Sequence, residues 1–174
     1  MFIKTDVQNF SITAICLIFL LTVSFSAQSS FPERWSLAEQ LKEGDIAALV
    51  EIVGVSSQSD NKLIRKEATL KVIVDLIGNR KDAIIKVVSF NGIAGSDLGL
   101  DCVGLRAIVI LKKAPKEHFG DSHYLSVNNY FSVYKINKGH VEGITDSVLS
   151  EDEALKILRE KIQEQNLLNS RSTN

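Results

Sequence analysis

The densest group of side chains able to do chemistry is Lys116-Glu117-His118-Phe119-Gly120-Asp121-Ser122-His123. Imidazole and carboxylate are donor types that suit zinc, and His118, Asp121 and His123 are the candidate ligands. A catalytic zinc usually takes three protein ligands and leaves one position for water, so a filled site here would make the chain a small metal-dependent enzyme using the His118/His123 segment. The spacing matches no metal motif, and the stretch follows Pro115, where a polar surface loop is expected in any case. Neither helix nor strand is predicted to hold the two histidines. No metal, cofactor or catalytic residue is therefore assigned, and the expected molecule is a noncatalytic binding or structural module.

Asn128, Tyr130 and Tyr134 have the amide and aromatic character of a surface that meets a protein or glycan, and they are the candidates for surface binding. Gly92, Gly95, Gly99 and Gly104 fall between Asn91 and Gly104, and that many helix-breaking residues predict a loop. Glycines can bring backbone amides around a phosphate, but neither GxGxxG nor GK[ST] occurs here and no helix follows. Cys102 sits at the end of that loop without a histidine nearby to activate it, so it is expected to be a small residue of the connection.

No charged residue lies between Asp6 and Glu33, and Ile12 to Val23 is an apolar block too short to span a bilayer comfortably. Ser24-Phe25-Ser26-Ala27-Gln28-Ser29 follows with small residues two apart, as signal peptidase requires. Residues 1–29 are thus expected to be a secretory signal, cleaved near 26 or 29, with a periplasmic or secreted product; the alternative is an N-terminal anchor in the inner membrane. Cleavage removes Lys4, Asp6 and Cys16, so the net charge of −1 is unchanged and Cys102 is the only thiol left. An internal disulfide is then impossible and the core must hold the domain by itself. A chain that close to neutrality, without a basic aromatic face, also argues against a nucleic-acid partner.

The elements follow from periodicity. Ser36-Leu37-Ala38-Glu39 has capping-box spacing and predicts a short helix from Leu37 to about Glu43, with Trp35 as a hydrophobic staple in the core. From Ile46 the period is two: Ile46, Ala48, Val50 and Ile52 on one face, Ala47, Leu49 and Val53 on the other, a strand apolar on much of both faces. After a polar turn at Ser56 to Asn61, Ala68, Leu70, Val72, Val74 and Leu76 predict one clean apolar face of a second strand. Ala83 to Phe90 predicts a third, Leu105 to Leu111 a fourth, and Tyr130 to Ile136 a fifth that turns at Asn137-Lys138-Gly139 into Val141. Ser150 and Glu153 form a second capping box, opening a helix to about Asn166 whose buried stripe is Ala154, Leu155, Leu158 and Ile162.

This order predicts a mainly β fold with flanking helices: a five- to six-stranded OB-like barrel with a short N-terminal and a longer C-terminal helix. The domain is expected over residues 30–168, with a flexible tail at 169–174. Leu41 to Val53, Ala68 to Val72 with Leu76-Ile77-Gly78, and Cys102 to Lys112 resemble exported bacterial netrin-like (NTR) domains, the OB-fold class of the tissue inhibitors of metalloproteinases. Gly44 stands where that pattern has Ala, Asn79 follows Gly78 where a Lys should precede it, and Ile110 stands for Phe. The resemblance implies a helix-flanked barrel and an unknown protein or glycan partner in the envelope. Metalloproteinase inhibition in that class uses a mature N-terminal Cys, which this chain does not match, so that activity is not implied.

Overall fold

The computed structural model of the protein describes residues 33–60, 63–78, 83–91, 98–119 and 123–172. The expected signal segment and Asp121 lie outside the described residues. Helix α1 (Leu37–Glu43) starts as its sequence predicts. The Glu39 amide donates to the Ser36 hydroxyl at 3.3 Å, and the Ser36 amide donates back to the Glu39 carboxylate at 2.7 Å. Two amides that the helix itself leaves open are thereby satisfied. The chain then turns at Gly44, whose φ of −86° is open to any residue. Glycine is needed there for space, since a Cβ would stand 2.7 Å from Ile110 Cγ2.

Five strands close a barrel. Strand β1 (Ile46–Asp60) pairs antiparallel with β2 (Leu63–Ile77) on one edge and with β4 (Arg106–Lys113) on the other. Strand β3 (Ile84–Asn91) pairs antiparallel with β2, and β5 (His123–Ser126) joins β3 in parallel and β4 antiparallel. The circuit β1-β2-β3-β5-β4-β1 leaves the barrel no open side, and its single parallel pair closes it in the OB-like manner. Strands β6 (Val133–Asn137), β7 (His140–Val141) and β8 (Leu149–Ser150) extend the sheet beyond β4. The β6–β7 turn places Lys138 and Gly139 at φ of 51° and 80°, the positive pair that matches the twist of a two-residue hairpin. A one-turn helix α2 (Lys116–Phe119) precedes β5, and α3 (Glu151–Ser172) ends the described chain behind the capping box of Ser150 and Glu153.

Alternation along β1 and β4 sorts the apolar residues into two cores. Ile46, Ala48, Val50 and Ile52 meet Leu70, Val72, Val87, Ala107 and Val109 inside the barrel. Leu98 and Leu100, from the glycine-rich connection, belong to the same interior. Ala47, Leu49, Ile108 and Ile110 point outward and are covered by Leu41 of α1 and by Ala154, Leu155 and Leu158 of α3. These strands are therefore apolar on both faces, as β1 alone predicts.

Several local expectations give way to tertiary pairing. The polar stretch from Ser56 is strand as far as Asp60, because its backbone pairs with Leu63 to Glu67. The clean face of β2 ends at Val72: register shifts at Ala47/Ala48 and Leu49/Val50 disturb the alternation, and Val74 and Leu76 pack with the helix-side core. Tyr130 and Phe131 lie in a 3-10 turn, Asn129–Ser132, entered through Asn129 at φ 50°. Trp35 is 37% exposed rather than a core staple, and its carbonyl accepts from Gln40 Nε2 at 2.9 Å. Helix α3 continues to Ser172, so residues 169–172 of the expected tail are helical.

Candidate functional site

The polar residues of β1, β2, β3 and β5 meet on the outer face of the barrel, and register explains why. On β2, Ala68 points inward, so Arg65, Glu67 and Thr69 share the outward row. Glu67 lies opposite Ser56 of β1, and Arg65 opposite Gln58. On β3, Val87 and Ile85 point inward and Lys86 outward, opposite both Thr69 and His123. Tyr124 takes the inward position on β5, which leaves His123 on the outer face. A recess of about 290 Å³ results, lined by Ser56, Gln58, Arg65, Glu67, Lys86 and His123.

Glu67 organises the recess. Its Oε1 accepts from Lys86 Nζ at 2.9 Å and its Oε2 lies 2.8 Å from His123 Nε2. Arg65 Nη2 stands 3.7 Å from Oε2, within reach of charge attraction and beyond hydrogen-bond distance. The bond from Lys86 holds the Glu67 carboxyl below its ordinary value of 4.5; burial opposes the shift and His123 adds to it. The Arg65 guanidinium also lies 5.0 Å from the centre of the Phe119 ring, which packs 6.1 Å from Phe90. Helix α2 thus touches the recess only through the contact of Phe119 with Arg65.

The segment that first suggested chemistry is consequently divided. His118 is exposed on α2, with its ring edge-on to Phe119 at 6.3 Å. His123 is fixed by a strand, which corrects the expectation of a loop without regular structure, and its partner Glu67 lies 56 residues away in sequence. The physical cause is the pairing of β5 with β3 and β4, which no local pattern announces. Among the described residues no three His, Cys, Asp or Glu side chains come together as metal ligands.

The expected binding surface is corrected too. Asn128 is buried: its Nδ2 donates to the Glu33 carbonyl at 3.2 Å and its amide to the Ser132 hydroxyl at 3.2 Å. Tyr134 is buried in the helix-side core and donates to Gln40 Oε1 at 2.9 Å, a bond that ties α1 to β6. Burial pushes its phenol above the ordinary value of 10. Both side chains hold the N-terminal segment to the barrel and are not free for a ligand. Tyr130 remains exposed beside Phe131, the ring centres 4.1 Å apart. Cys102 is exposed, with Sγ 3.9 Å from Asp101 Oδ1.

A larger recess of about 550 Å³ lies between α1, the end of β2 and α3, where Leu41, Leu76, Ile77, Ile162 and Leu168 form a mainly apolar wall. It carries no comparable arrangement of charge. No protein-family model matches the chain, and no curated protein matches it.

Proposed function

We propose that the chain is an exported, noncatalytic binding or structural module of the bacterial envelope, with a protein or glycan partner. The observation that supports this most is the state of Glu67: Lys86 and His123 each engage one of its oxygens and the Lys86 bond lowers its pKa, which makes it an acceptor rather than a proton donor. Glu67, Lys86 and His123 restrain one another across three strands, which favours a preformed surface for recognition. Among the described residues no helix is long and apolar enough to cross a membrane. The apolar block at Ile12 to Val23, followed by Ala27-Gln28-Ser29, is the sequence basis for export. Cell fractionation with N-terminal sequencing tests the proposal: a periplasmic or secreted product beginning near residue 27 or 30 is expected. An intact Met1 in the cytosol would overturn export, and an intact Met1 in the membrane fraction would replace the signal with an anchor.

A further inference from the structure

The recess around Glu67 has an imbalance of charge and of hydrogen-bonding capacity. Arg65 and Lys86 are cationic side chains, and among the six described lining residues Glu67 is the only carboxylate. Ser56, Gln58, Arg65, Lys86 and His123 all carry donors, whereas Glu67 in its ionised form only accepts. A complementary ligand is therefore an anion rich in acceptor oxygens. At about 290 Å³ the recess falls just short of the range of about 300–1,000 Å³ for drug-sized ligands, which suits a small ion or the terminal group of a larger molecule.

Glu67 narrows the choice. A carboxylate offers about four lone-pair directions, and Lys86 and His123 take one on each oxygen, so each oxygen retains acceptor capacity. An oxyanion that keeps a proton near neutral pH can donate that proton to Glu67 while its other oxygens accept from Arg65 and Lys86. Inorganic phosphate keeps at least one proton throughout the neutral range, and a phosphate monoester keeps one in part of its population, with a second pKa near 6 for phosphorylated side chains. Sulfate is fully ionised at neutral pH and would set oxygen lone pairs against those of Glu67.

We propose that this recess, between β1, β2, β3 and β5, is a binding site for a protonated oxyanion of the phosphate class, with Arg65 and Lys86 as charge partners and Glu67 as the acceptor that discriminates against sulfate. Arg65 is set for the role by geometry: the 3.7 Å gap to Glu67 leaves its planar fork unconsumed by the carboxylate, and the Phe119 ring supports it. Ser56 and Gln58 add neutral donors from β1. The proposal rests on the binding-module reading and supplies its ligand class.

The test is calorimetric titration of the exported protein at fixed ionic strength with inorganic phosphate, with glycerol phosphate and with sulfate. Saturable binding of phosphate or the monoester is expected, with sulfate weaker by about tenfold or more; the tighter of the first two tells free phosphate from an ester as the source. The R65Q/K86Q double variant should lose phosphate affinity by about tenfold or more. In E67Q the amide can donate to sulfate, so sulfate affinity should rise and the preference fall to about threefold or less. Thermal melts of both variants establish that they are folded. Equal affinity for phosphate and sulfate in the parent, no saturable binding, or binding that survives R65Q/K86Q would each overturn the site. Retention of the parent preference by folded E67Q would overturn the role of Glu67. Release of free phosphate from glycerol phosphate would instead overturn the noncatalytic reading, so the two failures are distinguishable.

Discussion

The barrel wall has two outer faces with opposite chemistry. Behind β1 and β4 the outward side chains are Ala47, Leu49, Ile108 and Ile110, and they are buried because α1 and α3 lie over them. On β2, β3 and β5 the outward row holds Arg65, Glu67, Lys86 and His123 around an open recess. Both faces obey the same alternation against the same interior. Covering by helices makes one face part of the fold, and the other is left to carry charge. Ion pairs on an open face contribute little to stability, commonly about 0–1 kcal/mol.

Measurements that strain this contrast can be ranked by size. The largest effect is expected inside the barrel, which both faces share. Val72 is fully buried, and Val72→Asp would place an unpaired carboxylate among Val50, Leu70 and Val87. The cost should be several kcal/mol, enough to remove most of a stability of about 5–15 kcal/mol. A variant that keeps the parent's urea midpoint would show that Val72 does not face the core.

The covered face comes next. Leu158 of α3 is fully buried, and Leu158→Ala should cost about 2–5 kcal/mol through lost contacts and a residual cavity. A loss near zero in denaturant unfolding would mean that α3 does not stabilise the wall it covers, and the contrast between the faces would collapse.

On the open face, Glu67→Gln should cost only about 1 kcal/mol or less at neutral pH. Its pH dependence is more informative than its size. The folded pKa of Glu67 lies below 4.5, so its ion pairs stabilise the fold above the unfolded value and that contribution is lost as pH falls through the folded one. Glu39 and Glu153, lowered by their bonds to Ser36 and Ser150, titrate in the same acidic window, and only comparison with the variant isolates Glu67. The gap in urea midpoint between parent and variant should therefore close as pH drops below about 4.5. A gap that widens in acid would contradict the assigned ion pairs.

Cys102 sets the lower bound. It is exposed, and Cys102→Ser should shift stability by no more than about 0.5 kcal/mol. A large fall in the denaturant midpoint would mean that the thiol is bonded or buried in the protein as it is made.

Both capping boxes, the two-faced apolar pattern of β1, the buried stripe of α3 and the hairpin at Lys138-Gly139 were legible in the residues themselves. Each depends on neighbours within one turn or on side-chain period, and such forces act before the chain is compact. The recess was not legible. Arg65 and Glu67 meet Lys86 through the β2–β3 register, and Lys86 meets His123 through a parallel pair closed by the barrel. Strand β5 has only His123 to Ser126 in regular structure, too short to show a period, and it is a strand because β3 and β4 offer it backbone partners. Asn128 and Tyr134 looked like surface ligands because polarity alone cannot tell a group that meets solvent from one whose hydrogen bonds are satisfied inside. Local sequence determined both capped helices, the body of the longer strands and the apolar faces of β1; closure of the barrel decided the short strand β5 and which polar side chains face one another, since both depend on contacts between residues far apart in the chain.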